Sequence, residues 1–192
     1  SVKIFVAVAD VDTLVRKNSA IDLHARTNTT SVYTSACVFP MLPERLCTDL
    51  TSLNPGQERL AIVTEMVVNP EGAVTHSTVH RARVCNHARL AYDAVSAWLD
   101  GTGPLPDAVR AVPGLVEQLR TQDAVAQSMR TRRRAQGALD FETFQPRAVF
   151  DGDRVIEIRQ QVQNRARQLI EEFMIATNTC TARFIARHGC AS

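Results

Sequence analysis

The chain has 192 residues, enough for one well-buried core, so a single unit is the default and two small domains are not required. Its 22 Lys and Arg against 20 Asp and Glu leave a formal charge of +2, so the molecule as a whole is no electrostatic trap for polyanions, and any such attraction has to come from local clustering. The five cysteines, Cys37, Cys47, Cys85, Cys180 and Cys190, are an odd number in a chain too large to need covalent staples, which argues against a secreted disulfide scaffold and for a reducing, cytoplasmic setting.

The opening SVKIFVAVADV is a short apolar run broken by Lys3 and closed by Asp10, which fits a buried strand over residues 2–8, a central one, rather than a signal peptide or a membrane span. A chain that opens inside a strand, with Ser1 directly before it, is expected to be a fragment. Pro40, Pro43 and Pro55 forbid a long helix or a central strand over residues 33–56, so this stretch is expected to be an ordered loop with one short helical turn near 44–49. Residues 60–68 and 73–84 read as two strands around the turn NPEG at 69–72, and with the first strand they suggest a mixed sheet. A helix is expected over 87–100, stopped by GTGPLP. A second begins at Pro113 and runs to about 134, with Leu115, Leu119, Ala126 and Met129 at core spacing. Residues 144–150 and 154–158 form a hairpin pattern around DGD. A long helix over about 162–186 carries the apolar stripe Ala166, Leu169, Ile170, Phe173, Thr177, Cys180 and Phe184. The sum is an α/β or α+β domain, a mixed sheet with long packed helices.

Common catalytic signatures are missing. The sequence holds no GxSxG, no phosphate-cradling GxxxxGK[ST], no GxGxxG and no HExxH. His76 and His80 share a strand face but lack a third ligand, and no cysteine pair has zinc spacing. All but two of the basic residues, Lys3 and Lys17, are arginine, which suits phosphate through its planar fork, although a coding bias would give the same preference.

The stretch from residue 30 to 59, TSVYTSACVFPMLPERLCTDLTSLNPGQER, is the most informative part of the chain. With VAVADVDTLV at 6–15, HARLAYDAV at 87–95, GALDFE at 137–142 and NRARQLIEEFMIATN at 164–178, all in the same order, it resembles the catalytic domain of the RNase II and RNase R family of 3′-to-5′ exoribonucleases. The resemblance touches nearly the whole chain and implies that residues 1–192 are the central part of an RNB-type catalytic domain, incomplete at both ends. It implies a channel for single-stranded RNA, Mg2+-dependent release of nucleoside 5′-monophosphates by the parent protein, and little or no hydrolysis by this chain alone. It also implies that the parent carries cold-shock or S1 modules, folds that grip single strands.

The same resemblance singles out residues. Tyr33 matches the tyrosine that packs on the 3′-terminal nucleotide, a stacking contact worth roughly 1–3 kcal/mol per base, with a ring that anchors the loop as the structural alternative. Phe39 is a further RNA-contact candidate, set against packing in the channel wall or core. Asp10 and Asp12, an i, i+2 carboxylate pair, are weak Mg2+ candidates and Asp10 a catalytic one, because the family's principal metal-binding acids lie one strand earlier and are expected upstream of Ser1; a structural carboxylate bonding loop amides is the alternative for Asp10. Arg26 is a phosphate-contact candidate, with His24, Arg45 and Arg59 nearby. Arg165, Glu171 and Glu172 lie on the last helix, where one glutamate of the EE pair approaches the terminal ribose or the metal region; Glu172 is preferred over Glu171 and is a catalytic candidate, Arg165 and Glu171 are RNA-contact candidates, and surface ion pairing explains all three as well. Asn164 and Asn178 read as caps or packing residues, and the run Arg130, Arg132, Arg133, Arg134 as a solvated helix end that complements the dipole or, alternatively, contacts nucleic acid. A non-catalytic RNA-binding or regulatory relative, and a protein-interaction scaffold, are the rival readings.

Overall fold

The computed structural model describes residues 1–34, 37–139, 146–152, 154–160 and 163–190, and for 146, 147, 159 and 160 the backbone only. The chain divides into two compact units, one made of residues 1–9, 53–139 and 163–192 and the other of 10–52 and 140–162.

The first unit is built on a three-stranded antiparallel sheet of β1 (Val2–Ala9), β4 (Glu58–Val68) and β5 (Val74–Cys85), in the order β1-β4-β5. Strands β2 and β3, which belong to the other unit, are Val32–Tyr33 and Val38–Phe39. β1 is an edge strand rather than the central one expected. Its burial alternates, Ile4 inward between exposed Lys3 and Phe5, as suits a strand with one face on the core. β4, whose Ala61, Val63, Thr64, Met66 and Val68 are all buried, takes the centre instead. Every strand ladder among the described residues is antiparallel, where the sequence suggested a mixed sheet; the class, α and β elements with long packed helices, is as expected.

The turn between β4 and β5 falls where NPEG placed it. Asn69 closes it by accepting from the Ala73 amide through Oδ1 at 2.7 Å. Gly72 is required twice, by its φ of +75° and by the backbone of Ser128, which would lie 2.4 Å from an added Cβ.

After Cys85 the helix expected from residue 87 starts later, as α2 (Tyr92–Leu99). Asn86 delays it: its side chain donates to the Leu53 carbonyl at 2.9 Å and accepts from the Ala88 amide at 3.0 Å, an arrangement that competes with helix. The short α3 (Asp107–Arg110) was not foreseen. The long α4 (Leu115–Ala135) and α5 (Arg165–Arg187) match their expected positions. Gly114 at φ 78° precedes α4, and Asn164 caps α5 by accepting from the Arg167 amide at 3.0 Å.

The core lies between sheet and helices: Ile4, Met66 and Val68 from the sheet, Val125, Ala126 and Met129 from α4, and Leu169, Phe173, Ala176 and Cys180 from α5. The α5 contributors recur at helical spacing, and each of the larger side chains contributes about 1.5–3 kcal/mol when fully buried. Two members of the expected stripe depart from it. Ile170 is exposed, and Phe184 is half-buried, its ring 4.3 Å from that of His188.

The second unit contains a 3-10 turn (Val11–Thr13), α1 (Ala20–Asn28), the β2–β3 pair, a wide helical turn (Leu46–Leu50) and a hairpin of β6 (Pro146–Asp151) and β7 (Arg154–Gln160). The hairpin and the helical turn were expected; α1 was not. Its start is nonetheless written in the sequence: Ser19 accepts from the Asp22 amide at 3.3 Å, while Asp22 accepts from the Asn18 amide at 2.7 Å. Residues 144 and 145 of the expected hairpin lie outside the described residues.

Candidate functional site

In the second unit, the chain leaves β1 at Asp10, which is 5% exposed, and turns at once through Val11–Thr13. The Thr13 hydroxyl donates to the Asp10 carbonyl at 2.7 Å and the amides of Leu14 and Val15 to that of Val11, so the turn that carries Asp12 is held by its own backbone. Asp10 and Asp12 therefore belong to one short rigid stretch. Both are hard oxygen donors of the kind Mg2+ takes, and Mg2+ is usually bound through one or two carboxylates with water and phosphate completing the octahedron. No group of three His, Cys, Asp or Glu suited to a metal ion occurs among the described residues. The pair thus fits the donor chemistry of Mg2+ as far as two carboxylates can.

The tyrosine loop is a miniature hairpin. Val32 pairs with Phe39 and Tyr33 with Val38. The Thr34 amide and hydroxyl both donate to the Cys37 carbonyl, at 3.0 and 2.7 Å, and the Ser31 hydroxyl accepts from the Met41 amide at 2.9 Å. Clamped at both ends in this way, the hairpin presents Tyr33 78% exposed and Phe39 59% exposed. Neither ring is an anchor for the fold. Directly opposed residues share a face, so Tyr33 and Phe39 look out from opposite faces and do not form one stacking platform. Arg26 is exposed on α1, as is His24, whose Nε2 lies 3.0 Å from the Asn28 side-chain amide. Arg45 is exposed at the start of the helical turn. In the first unit, Arg59 at the start of β4 bonds the Gln57 side chain and the Glu58 carbonyl, bracing its own strand end.

The remaining sequence candidates sit on α5 in the first unit, and the structure separates them. Glu172 is 4% exposed and receives a two-pronged bond from Arg133, Nε to Oε2 at 3.1 Å and the terminal nitrogen to Oε1 at 2.6 Å. That bond, ahead of the opposing effect of burial, raises the Arg133 pKa above the usual guanidinium value. Glu171, one residue earlier and about 100° round the helix, is exposed and accepts from the Gln163 side chain at 2.8 Å. Arg165 makes the same kind of fork to buried Asp123 on α4, at 2.9 and 2.6 Å, and reaches Asp100 at 3.4 Å. Its pKa too is raised, chiefly by the bond to Asp123. The Arg165 amide donates to Ser96, and the Asn164 side chain to Asp93, so the N-terminus of α5 is tied to α2 and α4 together. Of the arginine run, Arg133 is thus an internal clamp rather than part of a solvated end. Sequence reasoning missed both forks, because the partners lie 39 and 42 residues apart and only three-dimensional packing joins them.

An antiparallel sheet under two long helices, tied by two buried carboxylate–guanidinium forks, together with a small unit that holds an exposed tyrosine on a clamped hairpin, defines an α/β domain with a polar, aromatic-bearing loop grafted after its first strand. The RNB domain matches residues 1–191, and the chain belongs to that family, the RNB domain of RNase II and RNase R type exoribonucleases. It is 37% identical over 186 residues to ribonuclease R of Vibrio parahaemolyticus, covering 96% of this chain and 22% of that protein. The chain therefore spans about a quarter or less of the length of such curated relatives. Among solved structures it is similar to Mycoplasma genitalium RNase R in complex with double-stranded RNA, with a TM-score of 0.89, 28% identity, and coverage of 98% of this chain and 33% of that one. The same protein in complex with ribose-methylated single-stranded RNA gives a TM-score of 0.87 at 28% identity over 97% of this chain and 29% of that one. Yeast Ssd1, a pseudonuclease, shares the fold at 18% identity and a TM-score of 0.69, over 95% of this chain and 22% of that one.

Proposed function

We propose that the protein to which this chain belongs degrades single-stranded RNA hydrolytically from the 3′ end and releases nucleoside 5′-monophosphates. The observation that carries this reading is the extent of the family match, residues 1–191. Tyr33 supports it physically: an exposed ring on a hairpin fixed at both ends offers any terminal base a flat partner, at roughly 1–3 kcal/mol per base and with no demand on sequence. Phe39, on the other face of that hairpin, and Arg26 on α1 are held to contact the strand separately. Glu171, exposed and bonded only through Gln163 among the described residues, is the better acceptor for ribose hydroxyls, and Glu172 serves to fix Arg133. Arg165 acts at one remove by anchoring α5.

Asp10 and Asp12 would contribute oxygen ligands to Mg2+, which when bound supplies an activated water and neutralises charge on the scissile phosphate. The two are too few for the reaction, and the parent is held to supply the remaining acids from upstream of Ser1, so residues 1–192 alone are expected to bind RNA and hydrolyse little or none. S1 or cold-shock modules elsewhere in the parent, and a cytoplasmic location argued from the odd cysteine count, belong to the same proposal.

A gel time course of 3′- and 5′-labelled single-stranded RNA with Mg2+ tests the proposal, using this chain, the full-length protein and its Tyr33→Ala variant. Stepwise 3′ trimming by the full-length protein, with the variant binding RNA about 5- to 150-fold more weakly, is the expected result. Binding without trimming by the full-length protein would replace the nuclease with the non-catalytic relative.

A further inference from the structure

The C-terminal end of α4, the middle of α5 and the turn into β5 enclose an open cleft of about 320 Å3 within the first unit. Three arginines line it, Arg132, Arg133 and Arg183, against one carboxylate, Glu172. That carboxylate is paired with Arg133, which bonds both of its oxygens. Arg132 and Arg183 are exposed and have no hydrogen-bond or ion-pair partner among the described residues. Glu71, in the adjoining turn, is outside the lining and pairs with neither. The helix dipole accounts for Arg132, which lies in the last turn of α4, but not for Arg183, which lies inside α5 before its last turn. Two uncompensated guanidinia on different helices therefore converge on one concavity, beside an amide donor, Gln136, and an apolar wall that includes Ile175.

We propose that this cleft is a phosphate-ester site, in which Arg132 and Arg183 hold a nucleic-acid phosphate and the apolar wall takes the attached nucleoside. Two guanidinium forks suit a phosphate because each donates parallel charge-assisted bonds, and Arg133, immobilised by Glu172, keeps the rim from collapsing. The reading goes beyond the tyrosine loop: it assigns a second contact surface to the same protein. Its sources differ only in length, an internal phosphate of a bound strand or a free 5′-mononucleotide.

The test measures binding of labelled single-stranded RNA to the full-length protein without Mg2+, as a function of salt, for wild type, R132A/R183A, and R16A/R187A, which removes two charges outside the cleft. Each single-strand phosphate contact contributes a slope of about 0.7 in log K against log salt, so loss of two lowers the slope by about 1.4. Between about 50 and 200 mM salt the wild type then loses about sevenfold more affinity than the cleft variant. A smaller slope for R132A/R183A with an unchanged one for R16A/R187A supports a strand phosphate. Loss of AMP and inorganic phosphate binding in R132A/R183A, with the RNA slope unchanged, assigns the site to the free nucleotide. The proposal is overturned if neither changes, or if the control pair changes equally. R132K/R183K retains the charges and is expected to keep the slope. A full-length protein that fails to trim RNA but shows the slope difference overturns the hydrolytic reading and leaves this one standing.

Discussion

Arg133→Ala leaves the Glu172 carboxylate buried at 4% exposure with neither of its two guanidinium bonds. Removing one partner of such a pair costs about 3–5 kcal/mol, because the remaining charge has lost both its counter-ion and its water. At about 2–4 °C per kcal/mol for a chain of this size, the melting temperature should fall by about 6–20 °C. Removing both partners together is a different experiment. R133M/E172M fills the space with apolar side chains and strands no charge, so it should recover most of the loss. The assay is urea unfolding followed by fluorescence of Trp98, the sole tryptophan, which lies on α2 in the same unit as the pair. The midpoint should drop with the slope unchanged. An R133A protein within about 1 kcal/mol of wild type, or a double variant as unstable as the single one, would refute the reasoning. The Arg133 side of the pair gives no pH signature in the accessible range. Its folded pKa is raised, so its contribution is complete below the ordinary guanidinium value and is lost only at extreme alkalinity.

Other tests follow from the same structure. Lys3 on β1 bonds Glu65 on β4 at 2.6 Å and, as the main cause, lowers its pKa below the ordinary 4.5; Lys3, His80 and His76 add through their charges. A lowered carboxylate pKa gives stability that is present above the unfolded value and lost as pH falls through the folded one. The difference between wild type and Glu65→Gln in urea titrations should therefore shrink below about pH 4.5 and vanish in stronger acid; a constant difference would count against the pairing. Gly72→Ala forces a Cβ to within 2.4 Å of the Ser128 backbone at a φ of +75°, and calorimetry should show a loss of at least about 2 kcal/mol, against about 1 kcal/mol at Gly101, which has a similar φ of +72° but open space around it. Asn164→Ala removes both the α5 cap and the tie to Asp93, so it should cost about 1–2 kcal/mol, with Asn164→Asp retaining the cap share.

Much of the fold was legible because it rests on local rules. Asn69 and Gly72 gave the β4–β5 turn, three prolines gave the irregular stretch after α1, and the spacing of Ala166, Leu169, Phe173, Thr177 and Cys180 gave α5. What was not legible depends on partners. Whether β1 is central or edge is decided by which strands pair with it, and its apolar composition hid the inward–outward alternation of Lys3, Ile4 and Phe5. The late start of α2 comes from Asn86 reaching the backbone of Leu53, 33 residues away. The α1 helix lacks the buried stripe that marks the others, since nothing in it is buried and its Ile21 and Leu23 are exposed. Among site candidates, Tyr33 stood out as an aromatic in a polar loop, and its ring is exposed; the opposite orientation of Phe39 required the register of the β2–β3 pair.

The two glutamates of α5 show where sequence spacing stops being informative. Glu171 and Glu172 are chemically identical neighbours, and either position satisfies the motif IEEFM. One step of about 100° sends the first to solvent and the second into the packing between α5 and α4. Arg133 and burial bear on the choice: the Glu172 carboxylate is 4% exposed, each oxygen already accepts a guanidinium bond, and releasing it would leave a charge inside the protein. On the proposed function, Glu172 would influence a bound strand through the guanidinium it fixes, and direct acceptance of a hydroxyl would fall to Glu171. Glu171→Gln should then weaken RNA binding with stability within about 0.5 kcal/mol of wild type, and Glu172→Gln should lower stability first. Side-by-side measurement of RNA affinity and urea midpoint for these two variants separates the roles; RNA affinity lost in the Glu172 variant alone, at unchanged stability, would reverse the assignment.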